Sequence, residues 1–215
     1  MVIRRYISQG MEENCYFIID EDSNDAIIID PGVNGSLLCE IIEKNNFNIK
    51  AICLTHCHYD HFAGINEVVE MTNAPVLIAD EEVEVANSRD NNLSIMFGNS
   101  SIVRYDGVLS DGETAIFGSL MFQTILTPGH TKGSCCFYFE DEKALFTGDT
   151  LFYGSVGRTD FPTGDADALI NSINNKLLTL KGDVNVYPGH GEPSKIGYEK
   201  KYNKFLKKKF NKYLK

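Results

Sequence analysis

The stretch LTHCHYDHFAG, residues 54–64, holds three of the chain's five histidines, His56, His58 and His61, with Asp60 among them. Imidazole and carboxylate at this density are what zinc, iron or manganese bind at neutral pH, and packing does not ask for them. In an extended His-x-His turn alternate side chains point the same way, so His56 and His58 can chelate one ion. Asp60 and His61 fall a step further on, where the chain turns into a helix, and suit a second ion beside the first. More ligands must come from elsewhere, and His130, Asp149 and His190 are the available supply. An aspartate between two groups of imidazoles can bridge ions held about 3.5–4 Å apart. A single His or Asp in such a loop is usually an ordinary hydrogen-bonded residue, but this clustering favours metal. Cys57, between two of the proposed ligands, is expected to face away and pack as a small hydrophobe.

Placing these groups together is a task for strand ends. Four apolar stretches run into them: AICLTHCHYDH (51–61), FQTILTPGH (122–130), KALFTGD (143–149) and NVYPGH (185–190). Loops at one edge of a rigid sheet would gather all five histidines there. YFIIDEDSNDAIIIDPG (16–32) reads as two strands about a polar turn, and GSLLCEIIEKNN (35–46) as a helix with Ser36 as its N-cap. IKAICLTH is a buried strand, HFAGINEVVEMTN a helix and APVLIAD a strand, giving β-α-β-α-β.

A second half begins near Ser101, with strands about Phe117-Gly118-Ser119 and about Glu140-Asp141-Glu142. DADALINSINNKLLTL then reads as a helix and DVNVYPGH as a final strand. The expected class is α/β, two mixed sheets with helices outside, in one domain over residues 1–215. Residues 87–100 are irregular and suit a loop bordering a pocket.

Composition bounds the function. With 43% hydrophobic and 23% charged residues the chain is an ordinary globular sequence, and it contains no apolar run of signal-peptide or membrane-span length. A cytoplasmic protein is expected. The six cysteines lack a disulfide framework and read as reduced. The net charge of −10 is uneven: nine lysines and one glutamate from Lys195 onward carry +8, leaving −18 on residues 1–194. So acidic a body argues against nucleic acid as partner. The basic end, with Tyr202, Phe205, Leu206, Phe210, Tyr213 and Leu214 at helical spacing, reads as a terminal helix over about 197–213, laid on the domain with its lysines solvated. An anionic membrane or RNA contact is the sharper alternative for it, and the disfavoured one.

THCHYDH, PGHTKGS, FTGD and PGH occur in an order and at spacings that resemble the metallo-β-lactamase superfamily over nearly the whole chain. The resemblance implies a four-layered αββα sandwich with the metals at one edge. It implies His56, His58 and His130 at one ion, Asp60, His61 and His190 at the other, and Asp149 shared. Asp149 stands where the best-known lactamases have cysteine, which tells against antibiotic hydrolysis. GDTLFYGSVGRTDFPTGD (148–165) looks most like the glyoxalase II group of hydroxyacylglutathione hydrolases, short bacterial type. That implies a small-molecule thioester or related ester, cleaved by a hydroxide between two divalent ions, zinc first and iron or manganese next, with Asp60 also orienting the nucleophile.

Arg158 matches a basic residue that binds the glutathione moiety in that group; an ion pair with Asp160 or Asp165 is its other reading. HGEPSK (190–195) departs from the tyrosine-bearing pattern that helps bind glutathione, and about twenty lysine-rich residues follow the last motif where full-length members of the group carry a helical domain. The persulfide dioxygenases, with one iron on the equivalents of His56, His130 and Asp149, are the alternative that the same segments resemble.

Overall fold

The computed structural model describes residues 1–206. From the N-terminus, β1 (Val2–Ile7), β2 (Asn14–Ile19) and β3 (Asp25–Ile29) form an antiparallel meander. α1 (Gly35–Asn45), β4 (Asn48–Cys53), α2 (Tyr59–Phe62), α3 (Ile65–Thr72), β5 (Val76–Ala79), α4 (Val83–Ala86) and β6 (Gly107–Leu109) follow. β7 (Thr114–Phe117), β8 (Leu120–Leu126), β9 (Cys135–Phe139) and β10 (Ala144–Gly148) begin the second half. A small hairpin, β11 (Leu151–Phe152) and β12 (Ser155–Val156), precedes α5 (Ala166–Asn175), β13 (Asn185–Pro188), β14 (Ser194–Lys195) and α6 (Ile196–Tyr202).

Among the described residues these strands make two six-stranded sheets, ordered β1-β2-β3-β4-β5-β6 and β14-β13-β10-β9-β8-β7. Both are mixed: β3, β4, β5 and β6 run parallel, as do β10 and β13, and the other pairs within the two sheets are antiparallel. The inner faces meet in one apolar layer, where Tyr16, Ile18, Ile27 and Ile29 of the first sheet face Phe122, Phe137, Phe139 and Phe146 of the second. The outer face of the first sheet, with Phe17, Ile19 and Ile52, is covered by Leu38 and Ile42 of α1 and Val68 and Val69 of α3. Leu169 and Ile173 of α5 cover Leu145 and Val186 of the second. The expected αββα order holds. Strand β2 is buried at every position because both of its faces are covered, which is why its sequence does not alternate.

Several expectations are corrected. β6 pairs with β5, so the first sheet reaches past Ser101 before the second begins. Ser36 is not a cap: α1 begins at Gly35, and the side chain of Asn34 at the cap position instead accepts from Gln9 N. The start of α1 lies against the start of α3, where a Cβ on Gly35 would come within 2.4 Å of Gly64 O.

Among the described residues the helix expected over about 197–213 is α6, which ends at Tyr202. Buried Asn203 turns the chain away at φ −65° and ψ 115°, its Nδ2 donating to Ser155 O and Glu199 Oε2. Phe205 and Leu206 pack on the α5 side of the second sheet. Phe210, Tyr213 and Leu214 lie outside the described residues. No described helix is long and apolar enough to cross a membrane.

Candidate metal centre

Each candidate ligand sits just past a strand. β4 delivers buried Leu54–His58, and His58 occupies the N-cap position of α2, which carries Asp60 and His61. The loop after β8 brings His130, the end of β10 brings Asp149 and the end of β13 brings His190. Gly129, at φ 138°, takes that loop past α5, where a Cβ would stand 2.2 Å from Leu169 N. The β2 strand fastens the His190 loop: Asn14 N donates to Gly189 O, Asn14 Nδ2 to Pro188 O and Gly191 O, and Tyr16 Oη to Pro188 O.

All seven expected residues converge, in overlapping groups whose ligating atoms lie within 4.8 Å of one another. His56, His58 and His130 form one group and Asp60, His61 and His190 another; His56, His61 and Asp149 form a third between them. Asp149 Oδ1 is 3.5 Å from His61 Nε2, while its Oδ2 is 3.6 Å from His130 Nε2 and 3.8 Å from His190 Nε2. Asp60 Oδ2 lies 3.2 Å from His190 Nε2. The aspartate thus faces both histidine groups.

The far nitrogens of four imidazoles face fixed oxygens, three through hydrogen bonds and His61 Nδ1 through a charge contact with Asp30 that lacks hydrogen-bond geometry, which sets the rings' orientation. Thr55 Oγ1 donates to Asp30 Oδ2 at 2.7 Å and lies 3.2 Å from His56 Nδ1, which therefore carries the proton of that pair. His61 Nδ1 is 3.0 Å from Asp30 Oδ2, His130 Nδ1 donates to Arg158 O at 2.8 Å, and His190 Nδ1 to Glu12 O at 3.1 Å. The Nε2 atoms of all four are left for the cluster.

Cys57 N donates to Glu82 Oε1, and the buried Cys57 side chain belongs to the α1–α3 core, as expected. Glu82 also accepts from Thr131 Oγ1 and Gly133 N, so one buried carboxyl joins the two loops that carry His58 and His130. Burial pushes it up to about 7 against those three donors.

Electrostatics separate the histidines. Burial, reinforced by neighbouring imidazoles, holds His56 well below its ordinary value and His58 down at about 3; burial also lowers His130, although Asp149 opposes. Neutral imidazoles with free lone pairs are what a metal requires. Burial opposes charge on His61 and His190 too, but carboxylates overcome it: Asp30 and Asp60 raise His61, and Asp60 and Asp149 raise His190. Asp60 and Asp149 are held low in return, against their own burial.

The pocket therefore draws positive charge to its carboxylates, and divalent cations would displace the protons on His61 and His190. His56 Nε2, His61 Nε2 and Asp149 Oδ1 are buried without a hydrogen-bond partner, an arrangement native interiors avoid unless a ligand satisfies it. A Cβ on Gly189 would stand 2.4 Å from Asp149 Oδ1 and 2.7 Å from His61 Cε1, so the cradle tolerates only glycine there. The nitrogen and oxygen donors fit zinc, iron or manganese.

Arg158 lines the cleft above this cluster, with Nε and Nη2 donating to Asp160 at 2.7 and 2.8 Å. The ion pair with Asp160 is thus formed; Asp165 instead caps α5 through Ala168 N. Residues 87–100 border the cleft as expected, through Leu93, Met96 and Phe97.

Asp30, Glu13 and Glu82 escaped the sequence reading. Asp30 ends a strand in the same way as Asp149, in IIIDPG, and that was the available signal. Glu13, raised well above its ordinary value by burial, forms a further group with Asp30 and His61. Asp30 already accepts from Thr55 N and Oγ1 there.

Comparison with known proteins agrees with this geometry. Residues 10–190 match the family model described as the metallo-beta-lactamase superfamily, and the chain belongs to that superfamily. It is 36% identical to the hydroxyacylglutathione hydrolase GloC of Haemophilus influenzae, over 93% of this chain and 95% of that one. Among solved structures, BLEG-1 B3 metallo-beta-lactamase superposes with a TM-score of 0.90 at 32% identity, covering 95% of this chain and 99% of that one. TTHA1623, in a di-iron-bound form, gives 0.83 at 30%, covering 94% and 100%. ETHE1 from Myxococcus xanthus gives 0.78 at 28%, covering 96% and 84%. A protein named as a lactamase shares nearly the whole fold, so the argument from Asp149 against lactams is not sufficient by itself.

Proposed function

We propose that the chain is a cytoplasmic, single-domain metal-dependent hydrolase that cleaves a small thioester or related ester with two divalent ions, zinc first among them. His56, His58 and His130 would hold one ion, Asp60, His61 and His190 the other, and Asp149 both. The observation that carries this is Asp149 lying between the two histidine groups, with Oδ2 near His130 of one and His190 of the other and Oδ1 near His61. GloC's printed activity on hydroxyacylglutathione and the di-iron form of TTHA1623 support it. Six free cysteines support a reducing compartment.

When bound, the ions supply a water acidified toward neutrality and an electrophile for the carbonyl oxygen. The chain supplies order. Thr55 Oγ1, Asp30, Arg158 O and Glu12 O hold the four imidazoles in the tautomers that present Nε2. Asp60 Oδ2 lies 3.2 Å from His190 Nε2 and the carboxylate is partly exposed to the cleft, so besides holding its ion Asp60 would orient the attacking water. Met96, Phe97 and Phe161 at the mouth limit the water around the scissile bond.

The fold match to ETHE1 favours one second reading, a mononuclear iron persulfide dioxygenase using His56, His130 and Asp149. The test is a panel of thioesters, a β-lactam and a persulfide, run on protein loaded with zinc, iron or manganese while oxygen uptake is followed. Thioester cleavage without oxygen uptake is expected, abolished in Asp149→Ala. Oxygen uptake on the persulfide with iron alone, and no thioester cleavage, would overturn the hydrolase reading.

A further inference from the structure

The cleft over the metal cluster, about 240 Å3 in volume, has a polar floor and apolar walls. His58, Asp60, His130, Asp149 and His190 make the floor; Leu93, Met96 and Phe97 face it from one side, Phe161 and Arg158 from another. The first wall is built, not frayed. Asn92 and Ser94 are fully buried beneath it: Asn92 Nδ2 and Ser94 Oγ both donate to Ser101 O, and Asn92 Oδ1 accepts from Ser94 N. Leu93 and Gly98 turn the chain at positive φ, 63° and 70°, on either side of the Ser94–Phe97 turn. Phe97 stacks on Tyr59 at 5.2 Å and 19°, and Asn99 Nδ2 donates to Tyr59 Oη.

A polar scaffold therefore holds Met96 (65% exposed) and Phe97 (49% exposed) out over the cleft, and among the described residues Tyr59 backs Phe97 while the cleft side of both stays open. Large apolar groups fixed open beside a reaction centre are a surface for a ligand to bury.

The opposite wall matters as much for what it lacks. Among the described residues Arg158 is the one cation of the lining outside the imidazoles; Asp160 takes two of its donors, and the guanidinium lies over Phe161 at 3.9 Å. No lysine among the described residues lines the cleft. In the described lining, the carboxylates of a tripeptide thiol would find an arginine already paired with Asp160 and no second side-chain cation beside it.

We infer that the substrate presents an uncharged, apolar alkyl or aryl group beside the scissile bond, seated among Leu93, Met96, Phe97 and Phe161, and that an anionic carrier such as glutathione is disfavoured. This rests on the thioester hydrolase reading, whose bond it takes as the one cleaved. The apolar group belongs to either the acyl or the thiol side, and the test has an arm for each.

Acetyl and octanoyl thioesters of uncharged N-acetylcysteamine are compared on the metal-loaded enzyme with the same acyl groups on glutathione, and with S-octyl thioacetate. Apolar pockets gain about tenfold or more in kcat/KM from a few methylenes. Octanoyl over acetyl, or S-octyl over acetyl-N-acetylcysteamine, is expected to gain at least that much, with N-acetylcysteamine esters outrunning their glutathione counterparts. In Met96→Ser and Phe97→Ser, surface changes that leave the core intact, the chain-length ratio should fall toward one.

Inert S-octyl and S-methyl thioethers of N-acetylcysteamine are titrated calorimetrically in parallel. If no thioester is cleaved, yet the octyl ether binds about tenfold tighter than the methyl and loses this in Phe97→Ser, the hydrolase reading fails and the apolar seat stands. Cleavage indifferent to chain length, equal binding of the two ethers, or a preference for the glutathione esters would overturn the proposal.

Discussion

At the scale of single residues, the candidate centre depends on groups that orient ligands as much as on the ligands. Asp30 shows this best. Its two oxygens accept from Thr55 N and Oγ1, and Oδ2 also lies 3.0 Å from His61 Nδ1. Thr55 in turn sets the tautomer of His56, so one carboxylate governs a histidine in each proposed ion site. Asp30→Asn is therefore expected to weaken metal binding about 10–100-fold, the usual cost of losing such an orienting partner, in competition titrations with a chelator. An affinity equal to wild type would remove Asp30 from this role.

The seven candidate ligands were legible in the sequence because their type is rare in the chain and each follows an apolar strand. Asp30 and Glu82 were not: lone acids carry no spacing signal, and their partners Thr55, Cys57 and Thr131 are 25 to 49 positions away.

At the scale of elements, the site is an agreement between loops. Glu82, the last residue of the turn that leads into α4, binds the β4–α2 loop through Cys57 N and the β8–β9 loop through Thr131 Oγ1 and Gly133 N. A folded-state value of about 7, above the usual 4.5, means the native chain holds this proton more tightly than the unfolded one. The stability Glu82 contributes is thus fully present below about pH 4.5 and declines as pH rises through about 7. The difference in unfolding free energy between wild type and Glu82→Gln, from denaturant titrations of the metal-loaded proteins across pH 5–8, should shrink over that window. A flat difference would show that the three donors already keep the carboxylate ionised at the lower pH.

Element type was readable where strands were long and apolar. β1 and β14 were missed. β1 is a half-exposed strand carrying Arg4 and Arg5, and β14 spans two residues; neither shows a burial period. The break after Tyr202 was not readable because the apolar spacing continues past it, whereas the buried amide of Asn203 ends α6.

At the scale of the whole molecule, two sheets packed through Phe122, Phe137, Phe139 and Phe146 make a rigid block whose loops at one edge converge on the cluster. The layer order was readable from alternating strand and helix patterns, but the sheet boundary was not, because β6 is three residues long and gives no sign of pairing with β5. What this block would achieve is to hold donors from four separate chain segments within bonding distance of two cations. Metal content per chain tests that most directly, measured by elemental mass spectrometry after loading and gel filtration of wild type and Asp149→Ala. The account predicts close to two ions per chain for wild type and loss of both from the variant. A single ion at full loading, or unchanged content in Asp149→Ala, would contradict it.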